Sequence, residues 1–311
     1  MDFWKNKRVL VTGGGGFLGS CVVALLRQKN LREIRIPRSQ EFDLRKKENC
    51  AKVVKNIDIV IHLAAVVGGI GFNNEFPGRM FYDNILMGVY MLDEAKKVGV
   101  SKFVALGTVC SYPKNTTIPF KEEDLWKGYP EETNAPYGIA KKALLVQAYA
   151  YRKQYGFNSI YLIPINLYGP RDKADINNSH VVPTLIRKFI EAKELGKDCV
   201  TLWGTGKPSR GFLYVEDAAK GILLATERYN KPDPINLGSD LEITISDLAQ
   251  KIKEIVGFKG KIIWDKTKPD GQPRRKLNTY KALTEFGFKA KMAFDEGLRK
   301  TVRWYKNYLF N

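Results

Sequence analysis

The stretch Arg8-Val9-Leu10-Val11-Thr12-Gly13-Gly14-Gly15-Gly16-Phe17-Leu18-Gly19 decides the fold. Its first half is a short apolar run of strand type, and the apolar periodic segment at 21–26 reads as a helix. The glycines therefore occupy a strand-to-helix turn. Gly13, Gly16 and Gly19 are spaced Gly-x-x-Gly-x-x-Gly. The first permits the tight turn, the second lets a pyrophosphate approach the backbone, and the third packs helix on strand. A diphosphate then lies at the positive end of the helix. The strand before and the helix after separate a dinucleotide site from a merely structural glycine turn.

The next strand reads as Glu33-Ile34-Arg35-Ile36, followed by Pro37-Arg38-Ser39-Gln40. A carboxylate at its end would grip the ribose 2′-hydroxyl of NAD, whereas an arginine accommodates the 2′-phosphate of NADP. No acid stands there and Arg38 does, so NADP(H) is the expected cofactor. A solvated surface arginine is the competing reading of Arg38.

Further strand-like runs fall at 57–63, 102–106, 159–165 and 233–237, with helix-like segments between them. This βαβ rhythm predicts an α/β fold, a doubly wound parallel (Rossmann) sheet with helices on both faces. Ligands bind beyond the carboxyl ends of such strands. That gathers Ala64-Ala65, Gly107-Thr108-Val109-Cys110 and Asn166-Leu167 around one crevice. Residues 1–170, with 211–238 returning to them, are the expected dinucleotide-binding domain. Residues 171–210 and 239–311 break the rhythm and are expected to form a smaller α/β substrate-binding lobe.

In Asn134-Ala135-Pro136-Tyr137-Gly138-Ile139-Ala140-Lys141 a tyrosine and a lysine stand four residues apart, on one face of a helix. An ammonium beside a phenol favours the phenolate, so Lys141 is expected to lower the Tyr137 pKa. Such a phenol can exchange the proton that making or breaking a carbonyl by hydride transfer requires.

The 51 lysines and arginines outweigh 33 acids, for a net charge of +18. That would suit a nucleic-acid binder, yet the lysines are scattered and form no dense block interleaved with aromatics. Nucleic acid is therefore not an expected partner. A lysine-rich solvated surface, or a cleft that attracts a dianionic sugar nucleotide, explains the charge as well. No apolar run reaches about 18 residues, so no membrane span is expected, and the amino terminus lacks the apolar core of a signal peptide. Cys21, Cys50, Cys110 and Cys199 are far apart, which indicates neither a disulfide framework nor a zinc site, and no metal is expected. The simplest reading is a reduced, cytoplasmic protein. The helical stretches 89–95 and 142–151 are apolar enough for a homodimer interface.

The glycine turn, His62-Leu63-Ala64-Ala65, Tyr137-x-x-x-Lys141 and Asn166-Leu167-Tyr168-Gly169-Pro170 resemble the extended short-chain dehydrogenase/reductases that act on nucleotide sugars. More narrowly, residues 67–73, Cys110-Ser111-Tyr112-Pro113, Asn178-Ser179-His180-Val181 and residues 268–274 resemble the GDP-L-fucose synthase family. The likeness covers nearly the whole chain. It implies an NADPH-dependent 3,5-epimerisation and C4 reduction of a GDP-4-keto-6-deoxy sugar. Cys110 is then the base, His180 the acid, Tyr137 the donor to the C4 oxygen and Thr108 its hydrogen-bonding partner. Lys141 would hold the nicotinamide ribose. The resemblance implies a cofactor site of Gly13, Gly16, Phe17, Leu18, Gly19, Arg38, Asp43, Leu44, Leu63, Ala64, Ala65, Leu106, Gly107, Lys141, Pro164, Asn166, Leu167 and His180. It implies that Lys188, Trp203, Arg210 and Asp270 hold the GDP portion. His62 ends an apolar strand and reads as structural. Two departures stand out: Thr108 replaces a serine, and Arg210-Gly211-Phe212 lacks the acid usual between the arginine and phenylalanine. A C4 reductase without epimerisation, acting for example on a GDP-4-keto-heptose, and a GDP-mannose 3,5-epimerase are the neighbouring readings. A cofactor-sensing binding protein would need no such catalytic set.

Overall fold

The computed structural model describes residues 2–172, 180–268 and 270–310. Asn178 and Ser179, quoted above with His180, lie outside the described residues, as does Pro269. β1 (Arg8–Thr12), β2 (Glu33–Arg35), β3 (Ile59–His62), β4 (Lys102–Leu106), β5 (Ser159–Pro164) and the edge strand Ile235–Leu237 form one six-stranded sheet. All neighbours are parallel, in the order Ile235–Leu237, β5, β4, β3, β1, β2. β3, β4 and β5 are buried along their whole length, which is why they read as unbroken apolar runs rather than alternating ones.

Winding reverses at β1, which pairs with β2 on one side and β3 on the other. Thr12 and His62, the last residues of β1 and β3, are register partners and mark that switch point, where a doubly wound sheet opens its ligand crevice. The helices of this half are α1 (Phe17–Leu26), α2 (Lys47–Val53), α3 (Ile70–Glu75), α4 (Pro77–Lys97) and α5 (Ala135–Tyr155). After them come α6 (Val181–Glu194) and α7 (Val215–Arg228). α1 packs on α7, while α4 packs on α2 and α5. α1 begins at Phe17, four residues before the apolar period that announces it, because its first turn faces the crevice rather than the core.

A second hydrophobic core lies beyond the crevice. Leu185, Ile186 and Phe189 of α6 meet Leu248 and Ile252 of α8 (Ile245–Val256). Tyr168, Phe212 and Tyr214 belong to the same core, brought there by the parallel pair Asn166–Tyr168 and Phe212–Tyr214. Strand Cys199–Trp203 pairs with Lys261–Asp265, and Ser209–Arg210 lies between Ile243–Thr244 and Arg274–Arg275. α9 (Tyr280–Phe286) follows in the tail but packs on α7 and the edge strand, and its Ala282 and Phe286 join the larger core. α10 (Phe294–Phe310) returns to α6 and α8. Among the described residues no helix is long and apolar enough to cross a membrane.

Candidate active site

The glycine turn is built by exclusion. Gly13 has φ +67°, and a Cβ there would lie 2.9 Å from the Ala64 nitrogen. At Gly19 a Cβ would come within 2.1 Å of the Gly13 carbonyl oxygen, so α1 could not start where it does. The Thr12 hydroxyl joins the two sides of the switch point. It accepts the backbone N–H groups of Leu63 and Ala64, both at 3.1 Å, and lies 2.8 Å from His62 Nδ1. His62 is buried, and burial followed by the charge of Lys141 pushes its pKa down to about 3. A neutral imidazole that accepts from Thr12 satisfies all these contacts.

Arg38 is exposed and reaches over the turn: a Cβ on Gly15 would lie 1.6 Å from an Arg38 guanidinium nitrogen. Its side chain has no hydrogen bond or ion pair among the described residues, so its charge is available to a phosphate. Asp43 lines the same end, but Arg45 takes its charge at 2.8 Å and holds the carboxyl below its usual range. Cβ-free glycines, a helix start and an unpaired arginine fit a dinucleotide with a 2′-phosphate.

From this end one continuous cleft of about 1650 Å³ runs to the second core. Every residue expected to hold the cofactor lines it, as do Thr108, Cys110, Tyr137, Lys188, Trp203 and Arg210. Asp270 does not. Its carboxylate is turned away onto the Gly204–Gly206 turn, accepting from the Thr205 nitrogen at 2.6 Å and hydroxyl at 2.7 Å. That contact leaves Asp270 shaping the turn after Trp203 rather than lining the cavity.

The strand ends hold the candidate side chains together. Thr108 follows β4 and caps the short turn Val109–Ser111, its hydroxyl accepting the Cys110 N–H at 3.2 Å. Ser111 donates to the Gly138 carbonyl at 2.9 Å, which ties α5 to that turn. Tyr161 of β5 donates to the Lys141 carbonyl at 2.8 Å. Its ring packs so tightly on Gly107 that a Cβ there would lie 2.4 Å away.

Tyr137 and Lys141 share a face of α5, with the ammonium 6.0 Å from the phenol ring centre. The expected lowering of the phenol is not what the site produces. Burial raises the Tyr137 pKa above 10, with Cys110 adding to the rise. Burial also lowers that of Lys141 to about 8. Desolvation penalises both charged forms and outweighs an attraction across that gap. The phenol is therefore kept protonated, as a donor. His180 precedes α6 at the rim, with Nδ1 3.3 Å from Asp172. Burial opposes its charge, but the Asp172 carboxylate prevails and raises its pKa above 6.5.

Two neighbours of Cys110 were not among the expected site residues. Its thiol donates to Asn134 Oδ1 at 3.7 Å, and Arg275 Nη1 reaches the sulfur at 3.7 Å from the other side. Asn134 stands just before the Tyr137 helix and could have been suspected from that proximity. Arg275 carried no local signal at all. Toward the second core, Lys188 donates to the Thr201 carbonyl at 2.9 Å and Arg210 to that of Ser209 at 2.8 Å. Burial and then Arg275 bring the Arg210 pKa down to about 10. Trp203 is exposed, with Lys268 Nζ 5.6 Å above its ring.

Known proteins carry the same architecture. The sequence profile of the NAD dependent epimerase/dehydratase family matches residues 9–238. A GDP-L-fucose synthase of Sinorhizobium fredii is 40% identical, over 100% of this chain and 98% of its own. A crystal structure titled a GDP-L-fucose synthetase from Naegleria fowleri bound to NADP superposes with a TM-score of 0.87 at 30% identity, covering 98% of this chain and 96% of that one. One titled a GDP-6-OMe-4-keto-L-xylo-heptose reductase from C. jejuni gives a TM-score of 0.90 at 26% identity, covering 99% of both chains. With a profile spanning most of its length and a full-length relative at that identity, the chain belongs to the NAD dependent epimerase/dehydratase family, on the branch that carries the GDP-L-fucose synthases.

Proposed function

We propose that this protein is an NADPH-dependent epimerase-reductase that converts GDP-4-keto-6-deoxy-D-mannose to GDP-L-fucose. The observation that carries the reading is the one cleft that holds Thr108, Cys110, Tyr137 and His180 together, with Arg38, unpaired among the described residues, at its far end. The C4 ketone acidifies the hydrogens at C3 and C5. Cys110 removes them and His180, its charge supported by Asp172, returns protons from the opposite face. When bound, NADPH supplies the hydride for C4. Tyr137, held protonated by burial, gives the C4 oxygen its proton, and Thr108 hydrogen-bonds that oxygen. Lys141 orients the cofactor ribose.

In this reading residues 1–170, with 211–238 returning to them, form the cofactor-binding domain, while the lobe of residues 171–210 and 239–311, α9 excepted, carries the GDP-binding side chains Lys188, Trp203 and Arg210 on its first segment. Asp270 acts through the Gly204–Gly206 turn. The enzyme works in the cytoplasm as a homodimer; most apolar side chains of 89–95 and 142–151 that suggested the interface, Met91, Leu92, Leu144 and Leu145 among them, are buried in this chain's own core, which leaves the exposed Tyr82 and Val146 of α4 and α5 as its contacts. Sedimentation at micromolar concentration tests that assembly. A second reading, C4 reduction of a GDP-4-keto-heptose without epimerisation, is favoured by the likeness to the heptose reductase structure over 99% of this chain.

The deciding experiment supplies NADPH and GDP-4-keto-6-deoxy-D-mannose in deuterated water. Loss of NADPH with deuterium at C3 and C5 of the product supports the epimerase-reductase. Loss without deuterium leaves the plain reductase, and no loss removes this sugar as the substrate.

A further inference from the structure

Arg274 and Arg275 are neighbours on one short strand, so their side chains leave it on opposite faces. Arg274 forks onto Glu242, with Nε and Nη2 each 2.8 Å from a carboxylate oxygen. Arg275 meets no carboxylate among the described residues. Its Nε donates to Gln272 Oε1 at 3.2 Å, and its Nη1 donates to the Cys110 sulfur at 3.7 Å. The backbone beneath it is fixed, because Ser209 donates to the Pro273 carbonyl at 2.9 Å and Gly211 to that of Arg275 at 2.8 Å. The guanidinium is thus held against the thiol by a strand pinned on both sides of it.

The sulfur stands between an acceptor and a cation. As a thiol it donates to Asn134 Oδ1, and as a thiolate it accepts from Arg275. Each protonation state has a partner, so the proton can leave and return without the side chain moving. We infer that Arg275 is the counter-ion of the Cys110 thiolate, a positioning residue for the epimerisation half of the reaction. The inference rests on the reading of Cys110 as the base.

In the step it serves, the sulfur takes a proton from C3 or C5 and becomes a neutral thiol. The C–H electron pair moves into an enolate whose negative charge lies on the C4 oxygen. His180 returns a proton from the opposite face, a new C–H bond forms, and the enolate collapses to the ketone. The thiol then loses its proton to solvent and His180 regains one, leaving the exchange redox-neutral. Arg275 keeps its charge throughout.

The test is alkylation of Cys110 by iodoacetamide at pH 7 in the intact enzyme without substrate, located by mass spectrometry, alongside deuterium uptake at C3 and C5. Arg275→Met is expected to slow both about tenfold or more, with the KM for the GDP-sugar changed less than kcat for exchange. Arg275→Lys is expected to recover most of both rates, which a simple folding defect would not explain. Unchanged alkylation with a raised KM would overturn the inference and make Arg275 a GDP-binding side chain beside Arg210. If alkylation depends on Arg275 but the wild-type enzyme takes up no deuterium, the pairing stands and the epimerase reading falls. If deuterium is taken up and alkylation is indifferent to Arg275, the reading stands and the inference falls.

Discussion

Gly138 touches the Cys110 backbone so closely that a Cβ on it would lie 2.4 Å from the Cys110 carbonyl oxygen. The residue after the proposed proton donor is therefore the contact that seats the proposed base. Gly138→Ala must push α5 away from the Val109–Ser111 turn and stretch the Ser111 hydrogen bond. Overpacking of this kind costs about 1–3 kcal/mol. We expect a lower melting temperature, and a loss of turnover larger than that stability loss accounts for, since both reacting groups shift. A variant that melts lower but turns over normally would show that the spacing is not critical.

Tyr137→Phe removes the proposed proton donor while leaving the Tyr161 and Ser111 contacts that hold α5. Reduction at C4 is expected to fall about 10²- to 10⁴-fold, with NADPH affinity unchanged. The wild-type profile carries a second mark. Because burial keeps the phenol protonated while Lys141 loses its proton at about 8, the rate should decline above pH 8 through the lysine. Lys141→Arg should carry that limb upward. Steady-state rates from pH 6 to 10 decide it, and an unmoved limb would assign the titration to another group.

Among the described residues the Arg38 guanidinium, beside the glycine turn, has no partner. A hydrogen bond to a charged partner contributes about 1.5–3 kcal/mol. Arg38→Ala should therefore weaken NADPH binding roughly 10- to 100-fold and leave NADH binding nearly unchanged. Calorimetric titration with both cofactors checks this. Equal losses would place Arg38 away from the 2′-phosphate.

His62 links the fold's stability to acid. Its pKa is about 3 in the folded chain against an ordinary 6.5, since burial disfavours the imidazolium. Between those values the unfolded chain binds a proton that the native chain refuses, so stability present above pH 6.5 is lost as pH falls toward 3. The slope approaches about 1.4 kcal/mol per pH unit for one such group. His62→Asn keeps an acceptor for Thr12 but does not titrate. Urea unfolding at pH 7 and pH 5 should show a smaller acid loss for the variant, and parallel losses would mean that other groups dominate.

Much of this molecule could be read along the chain because its signals are local. β1 and β4 run over the residues their apolar patterns mark, and the glycine spacing locates the turn beside which Arg38 lies. The Tyr137 and Lys141 pair and the strand ends follow from the same rhythm, since a parallel sheet delivers every strand end to one edge, and every expected site residue but Asp270 lines the cleft. Sequence alone thus determined the fold class and which candidate side chains meet in the cleft. Tertiary structure alone decided their electrostatics and their company. The direction of the Tyr137 shift depends on how much water packing removes, and a four-residue spacing cannot report that. Asp270 lies on a loop whose carboxylate had a backbone turn to satisfy. The Arg275 contact with Cys110 spans 165 positions and forms only because a lobe strand is laid beside Ser209–Arg210. No periodicity encodes such a meeting; it exists once two separate cores have closed on one cleft.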